Sequence, residues 1–202
     1  MSAPGQLIEW SWSGLPCLGN RLSGDLVLLA EHEGLPRALV VDVAGHGPRA
    51  HSVAQRIQSL RPLEHAEQDL PQTLQFVHQA LRGGGRLAAA MAVRICQDEG
   101  QPTLEYCGVG NISLVGSAAA LRSEGRPGML GQVMPELRVQ RVPFADGASV
   151  AIHTDGLSSG LRLTPELDGM EVQEVAPELL RRYGRLHDDA TCLVIRNRGR
   201  CV

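Results

Sequence analysis

The stretch Ala38-Leu-Val-Val-Asp-Val-Ala-Gly-His-Gly-Pro48 sets the frame for the whole chain. Its first half, Ala38 to Asp42, is an apolar run that reads as a β-strand, and it ends on a carboxylate followed by a glycine-rich turn. Beyond the turn, Ala50, Val53, Ala54, Ile57 and Leu60 recur at three- and four-residue steps, which predicts a helix over Pro48 to Leu60 stopped by Pro62. An acidic side chain is thereby held at a rigid strand end, beside glycines that let backbone approach a ligand closely.

Working outward, β-like runs recur at Gln6 to Trp12, Asp25 to Ala30, Ala88 to Cys96, Thr103 to Cys107, Ile112 to Gly116, Leu137 to Val142, Ala148 to His153 and Ala190 to Arg196. Turn-forming segments such as Glu31-His-Glu-Gly34 and Gln97-Asp-Glu-Gly100 join neighbours, which predicts antiparallel hairpins rather than parallel crossovers. Two further helices are expected over Leu70 to Leu81, ended by Gly83-Gly84-Gly85, and over Val172 to Tyr183. Runs of strands interrupted by few helices indicate an α+β domain with helices covering sheet faces. The Gly-, Ser- and Pro-rich segment Ser117 to Pro135 reads as a long loop lying over something.

A length of 202 residues suits one domain, taken as residues 1–202, without help from disulfides. Only 3% of residues are aromatic, so Leu, Val, Ala and Ile must fill the core. A net charge of −3 argues against nucleic acid as a partner, because phosphate backbones demand a concentrated basic face. The arginines gathered between Arg181 and Arg200 read as a solvated surface and tail. Five scattered cysteines contain no C-x-x-C pair for zinc and read as reduced thiols. No secretory signal or membrane span is visible, so the expectation is a cytoplasmic protein without a membrane partner; a monomer is expected as well.

Four aspartates fall at or next to predicted strand ends: Asp25 in Ser23-Gly-Asp25, Asp42, Asp155 in His153-Thr-Asp-Gly-Leu157 and Asp188 in His187-Asp-Asp-Ala-Thr191. Taken singly, an Asp-Gly pair is most often just a turn. Carboxylates converging on one edge would repel each other, and a divalent cation is their natural neutraliser. Hard oxygen donors favour Mg²⁺ or Mn²⁺ over zinc.

These segments, with Tyr106-Cys-Gly-Val-Gly-Asn111, resemble in order and approximate spacing the SpoIIE-like branch of the PPM/PP2C metal-dependent protein phosphatases, and within it the single-domain RsbX-like phosphatases of the bacterial stressosome. The resemblance implies a PP2C-like four-layer α-β-β-α sandwich of two antiparallel sheets. It also implies two Mn²⁺ or Mg²⁺ ions, with Asp42 bridging both, the Val43 carbonyl on one, and Asp155 and Asp188 on the other. Asp25 would bind directly or through water, and Asp189 would either orient Asp188 or bind a third ion. The catalytic set so implied is Asp25, Asp42, Asp155 and Asp188. The chemistry implied is in-line attack on phosphoserine or phosphothreonine by a water that the ions activate. Phosphorylated STAS-domain proteins related to RsbS and RsbR are the implied partners. Two alternatives stand beside that reading: a phosphatase of another anti-sigma-factor antagonist, and a non-catalytic STAS-binding relative.

Several residues read differently from the family pattern. His46 stands four residues after Asp42 rather than two, and reads as a structural histidine in a Gly-rich turn. Arg21 is a candidate phosphate ligand but reads more simply as a surface residue. Gly108-Val-Gly-Asn111 reads as a β-turn inside the sheet, since no helix N-terminus follows it to bind an anion.

Overall fold

The computed structural model describes residues 6–32, 34–65, 69–118 and 120–200. The Glu33 portion of the first predicted hairpin turn, the extreme N-terminus and Cys201 therefore lie outside the described residues.

Two five-stranded antiparallel sheets organise the chain. One has the order β1 (Gln6–Leu15), β10 (Ala190–Arg200), β9 (Ser149–His153), β6 (Ser113–Gly116) and β7 (Arg122–Glu124). The other has the order β2 (Asp25–His32), β3 (Leu35–Val43), β4 (Ala88–Asp98), β5 (Gln101–Val109) and β8 (Gln140–Pro143). Their facing sides close a shared core in which Val40, Met91 and Leu104 of one sheet meet Leu114, Ile152 and Leu193 of the other. Because strand side chains alternate, the opposite faces are apolar as well and need covering.

The helices supply that cover. α1 (Gly47–Ser59), the single turn α2 (Pro62–His65) and α3 (Leu70–Leu81) lie over the outer face of the β2–β8 sheet, with Ala54, Ile57, Leu74 and Val77 packed against Leu39, Val41 and Ala90. The short α4 (Pro165–Asp168) and α5 (Val172–Tyr183) cover the other sheet, with Val175, Ala176 and Leu179 against Ala151, Cys192 and Val194. The result is the α-β-β-α sandwich.

Most elements match the sequence expectation within a few residues. The differences are local and have physical causes. Pro62 does not merely stop α1: Arg61 takes a left-handed backbone (φ 51) and Pro62 then opens α2, where its missing N–H costs nothing. The stretch from Ser117 to Pro135 is not purely loop, since Arg122–Glu124 pairs with β6 and Leu130 exchanges backbone hydrogen bonds with Ala88. Pro177 sits inside α5 at its sixth residue. Among the described residues, no helix is long and apolar enough to cross a membrane.

Candidate active site

Antiparallel pairing decides where the aspartates go. Asp25 opens β2 and Asp42 nearly closes β3, and the register sets them directly opposite each other. In the other sheet β9 closes at His153, two residues before Asp155, and β10 opens at Ala190, immediately after Asp188 and Asp189, with Cys192 opposite His153. All five carboxylates therefore stand at one end of the sandwich. Asp42, Asp155 and Asp188 line a common cleft of about 370 Å³ with Ala44, Gly45, Gly110, Asn111 and the segment Pro127–Met129.

Close backbone approach makes this convergence possible. A Cβ on Gly156 would collide with the Asp189 carbonyl oxygen, so only glycine lets the turns bearing Asp155 and Asp188 lie against each other. Gly24 plays the same part in the other sheet, where a Cβ would fall 2.7 Å from the Ala50 methyl and 3.2 Å from the Val43 carbonyl oxygen. That carbonyl thus faces the turn that leads into Asp25.

Electrostatics record the crowding. Burial, then the charges of Asp155, Asp188 and Asp189, push the Asp42 carboxyl up to about 7. Burial, with Asp42 beside it, raises Asp25 well above the ordinary carboxylate range. Burial and Asp188 raise Asp155, although a hydrogen bond from Asn111 acts against this.

Uncharged neighbours hold the acids in place. Asn111 Nδ2 donates to Asp155 Oδ2 at 2.6 Å. Thr154, fully buried, donates from Oγ1 to Asp25 Oδ2 at 2.8 Å and accepts from the Thr191 amide at 3.0 Å. Asp25 Oδ1 is buried without a hydrogen-bond partner, an oxygen in want of a cation or a donor. Asp189 is employed differently from the other acids: its two oxygens accept from the Cys17 amide (2.7 Å) and the Gly24 amide (2.6 Å), tying the β1–β2 connection down. Asp188 is exposed and accepts from the Asp189 amide at 2.9 Å.

A hard divalent cation fits this donor set: oxygen ligands only, mutual repulsion, and one orphaned buried carboxylate oxygen. The carboxylates line the cleft rather than closing into a shell. Among the described residues no group of three or more His, Cys, Asp and Glu side chains is already drawn together around a metal position.

Other site features follow from the geometry. His46 is exposed at the start of α1 and hydrogen-bonds through Nδ1 to Asn20 at 3.2 Å, outside the cleft lining. Arg21 is exposed and also outside the lining. Two other arginines border it instead: Arg86 Nη1 donates to the Ala44 carbonyl and Arg185 Nη1 to the Asp155 carbonyl, each at 3.4 Å. The Gly108–Asn111 segment is more than a turn, since Gly108 and Val109 belong to β5 while Asn111 reaches the cleft. Burial pushes the Cys107 and Cys192 thiols up to about 12, far from the thiolate that a cysteine nucleophile requires.

A four-layer sandwich with a carboxylate cluster at the shared end of its sheets is the architecture of the PP2C-type protein-serine/threonine phosphatases, which are metal-dependent enzymes. The Stage II sporulation protein E (SpoIIE) family profile matches residues 33–198, and the chain belongs to that family. A chain solved in work on the bacterial stressosome as a modular system adapted to control secondary messenger signaling is 27% identical, with 95% of this chain and 100% of that one covered, at a TM-score of 0.82. RsbX in complex with magnesium is 22% identical over 94% of this chain and 95% of its own, at 0.71. The PP2C phosphatase domain and regulatory fragment of Bacillus subtilis SpoIIE is 17% identical, covering all of this chain and 66% of that one, at 0.75. Among curated proteins no sequence match is found.

Proposed function

We propose that this chain dephosphorylates phosphoserine or phosphothreonine on STAS-domain stressosome proteins related to RsbS and RsbR, acting as one catalytic domain, as a monomer, in the cytoplasm. The observation that carries the reading is the convergence of Asp42, Asp155 and Asp188 on one cleft at the common end of two sheets. The likeness to the stressosome chain and to RsbX, each matched over nearly its whole length, supports the choice of substrate.

In this reading Asp42, the Val43 carbonyl, Asp155 and Asp188 would hold two cations, Mn²⁺ or Mg²⁺. Bound there, the pair supplies charge neutralisation for the phosphoryl oxygens and an acidified water for in-line attack. The chain's own residues do the rest. Asn111 fixes the rotamer of Asp155, and Thr154 occupies one oxygen of Asp25 so that Oδ1 is left for a cation or its water. Asp189 acts on position rather than on metal, since both its oxygens clamp backbone amides. Arg86 and Arg185, each bonded to the carbonyl of a cleft-lining residue, would present their further N–H donors to phosphoryl oxygens. The ordering of these groups in advance is what a phosphoryl-transfer site contributes, because little covalent chemistry falls to the protein.

The test is hydrolysis of p-nitrophenyl phosphate in Mn²⁺. Asp42→Ala and Asp155→Ala should each abolish it while circular dichroism shows an intact fold. Activity that survives both substitutions, or that persists in excess EDTA, refutes the two-metal assignment.

A further inference from the structure

Among the described residues six large apolar side chains are exposed: Trp12, Leu15, Leu18, Leu22, Val133 and Leu186. Single exposed apolar residues scattered over a surface need no explanation, but segregation to one region marks an interaction site. Here five of the six fall on segments next to the acids or the cleft lining. Leu15 lies where β1 ends against the start of β10, opposite Ala190, whereas Trp12 pairs with Leu193 farther along the strand and stands apart from the others. Leu18 and Leu22 sit on the connection that leads into Asp25, and Leu186 stands two residues before Asp188. Val133 donates its amide to Met129, a cleft-lining residue.

These segments are sewn together as one rim. The Leu18 amide donates to the Leu186 carbonyl at 2.9 Å, and Asp189 takes the Cys17 and Gly24 amides on either side of Leu18 and Leu22. The two most exposed members, Leu18 at 69% and Leu186 at 66%, are thus neighbours through that bond.

The cleft itself, at about 370 Å³, accommodates a phosphorylated side chain and a short stretch of flanking chain, but not the surface of a folded protein. A specific protein complex buries roughly 800 Å² on each partner, so most of the contact with a folded substrate has to form on the rim. A second copy of this chain seated on the rim would cover Asp155 and Asp188 and shut the site. A phosphoprotein delivering its phosphate to those residues has to cover the same rim.

We infer that Leu15, Leu18, Leu22 and Leu186 form an apolar docking apron that binds exposed apolar residues flanking the phosphorylated serine or threonine of a folded protein substrate. The inference rests on the phosphatase reading above and extends it to how the substrate is held. It makes the apron a determinant of protein substrates alone, which small aryl phosphates bypass.

The experiment compares wild type with Leu18→Ser, Leu186→Ser and the double variant on two probes, p-nitrophenyl phosphate and a phosphorylated RsbS-type STAS-domain protein from the same genome, both in Mn²⁺. The expected result is aryl phosphate kcat/KM within about twofold of wild type and phosphoprotein kcat/KM lowered about tenfold or more in the double variant, through KM. Equal losses on both probes would make the leucines part of the site's own scaffold and overturn the apron, as would no loss on the phosphoprotein. Wild-type enzyme that turns over the aryl phosphate but not the phosphoprotein overturns it too. A wild type dimeric by light scattering, with variants monomeric and undiminished in turnover, assigns the rim to a second copy instead. Wild-type protein inactive even on the aryl phosphate refutes the phosphatase reading itself, and the apron with it.

Discussion

Replacing Asp42 by asparagine should destroy the activity and stabilise the metal-free fold. In the absence of a cation, burial and three neighbouring carboxylates push Asp42 from its ordinary 3.8 up to about 7. At ~1.4 kcal/mol per pKa unit this sets a ceiling of ~4 kcal/mol on the cost of the charge. Asp42 is partly open to solvent, and screening there brings the expected cost to about 2 kcal/mol. The folded value lies above the unfolded one, so the unfolded chain gives up this proton first as pH rises. The favourable contribution is complete below the unfolded value of 3.8 and is lost as pH climbs to about 7. Asparagine is neutral, nearly the same shape, and escapes that loss. The assay is urea unfolding in EDTA across the range. Asp42→Asn should exceed wild type by about 2 kcal/mol at about pH 8, with the gap closing near about pH 4. Saturating Mn²⁺ should reverse the order, since only wild type gains from binding. A variant no more stable than wild type at the alkaline end, or a gap that does not change with pH, would refute the argument that the cluster is a charge awaiting a counter-ion.

Other perturbations test the scaffold around the acids. Asn111→Ala removes the 2.6 Å bond to Asp155 and should raise the Mn²⁺ concentration for half-maximal activity about 10- to 100-fold in a metal titration, as losses of outer hydrogen-bond partners do. Gly156→Ala drives a methyl into the Asp189 carbonyl and should cost about 3 kcal/mol or more in unfolding free energy, because backbone rather than a flexible side chain stands in the way. Arg86→Ala should raise KM for p-nitrophenyl phosphate about tenfold with a smaller change in kcat, and an unchanged KM would remove Arg86 from the phosphate contacts.

How far the site was legible in sequence depended on the range of the interaction. Strand runs such as Ala88 to Cys96, and helices such as Leu70 to Leu81, carry their own periodicity and were readable. β7 was not, because three residues, Arg122–Glu124, have no period and become a strand only by pairing with β6. The aspartates could be seen to stand at strand ends, yet nothing local says that ends belonging to two different sheets coincide. That follows from register, Asp25 opposite Asp42 and Cys192 opposite His153. Asn111 carried a signal, its place in a segment shared with the family, but its bond to Asp155 spans 44 residues and the turn reading accounted for the glycines alone. Asp189 was the least legible of the acids. Its partners Gly24 and Cys17 lie 165 and 172 residues away, and nothing in His187-Asp-Asp-Ala-Thr191 says which aspartate faces the cleft and which faces backbone.

The two adjacent aspartates show how the fold separates tasks that sequence leaves together. Asp188 is exposed on the cleft, and its Oδ1 accepts the amide of Asp189, which fixes the turn between them. That turn sends Asp189 inward, where it is 3% exposed. A buried carboxylate is costly unless its oxygens are paired, and the Cys17 and Gly24 amides pair both. One of those amides begins the turn into Asp25, and the other begins the connection bearing Leu18 and Leu22, so Asp189 couples the β10 end of one sheet to the β2 end of the other. Removing Asp189 would therefore leave the cleft-lining acids present but unregistered, with two buried amides unsatisfied. That outcome differs from the loss of Asp188, which would remove a cleft-lining carboxylate and leave the frame. A conservative Asp189→Asn exchange should accordingly lower stability with metal present as well as absent, because an amide NH₂ cannot accept where the carboxylate did. The charge of Asp189 is itself one of those that raise Asp42, so its two amide bonds hold the frame while its charge adds to the crowding that a cation would relieve.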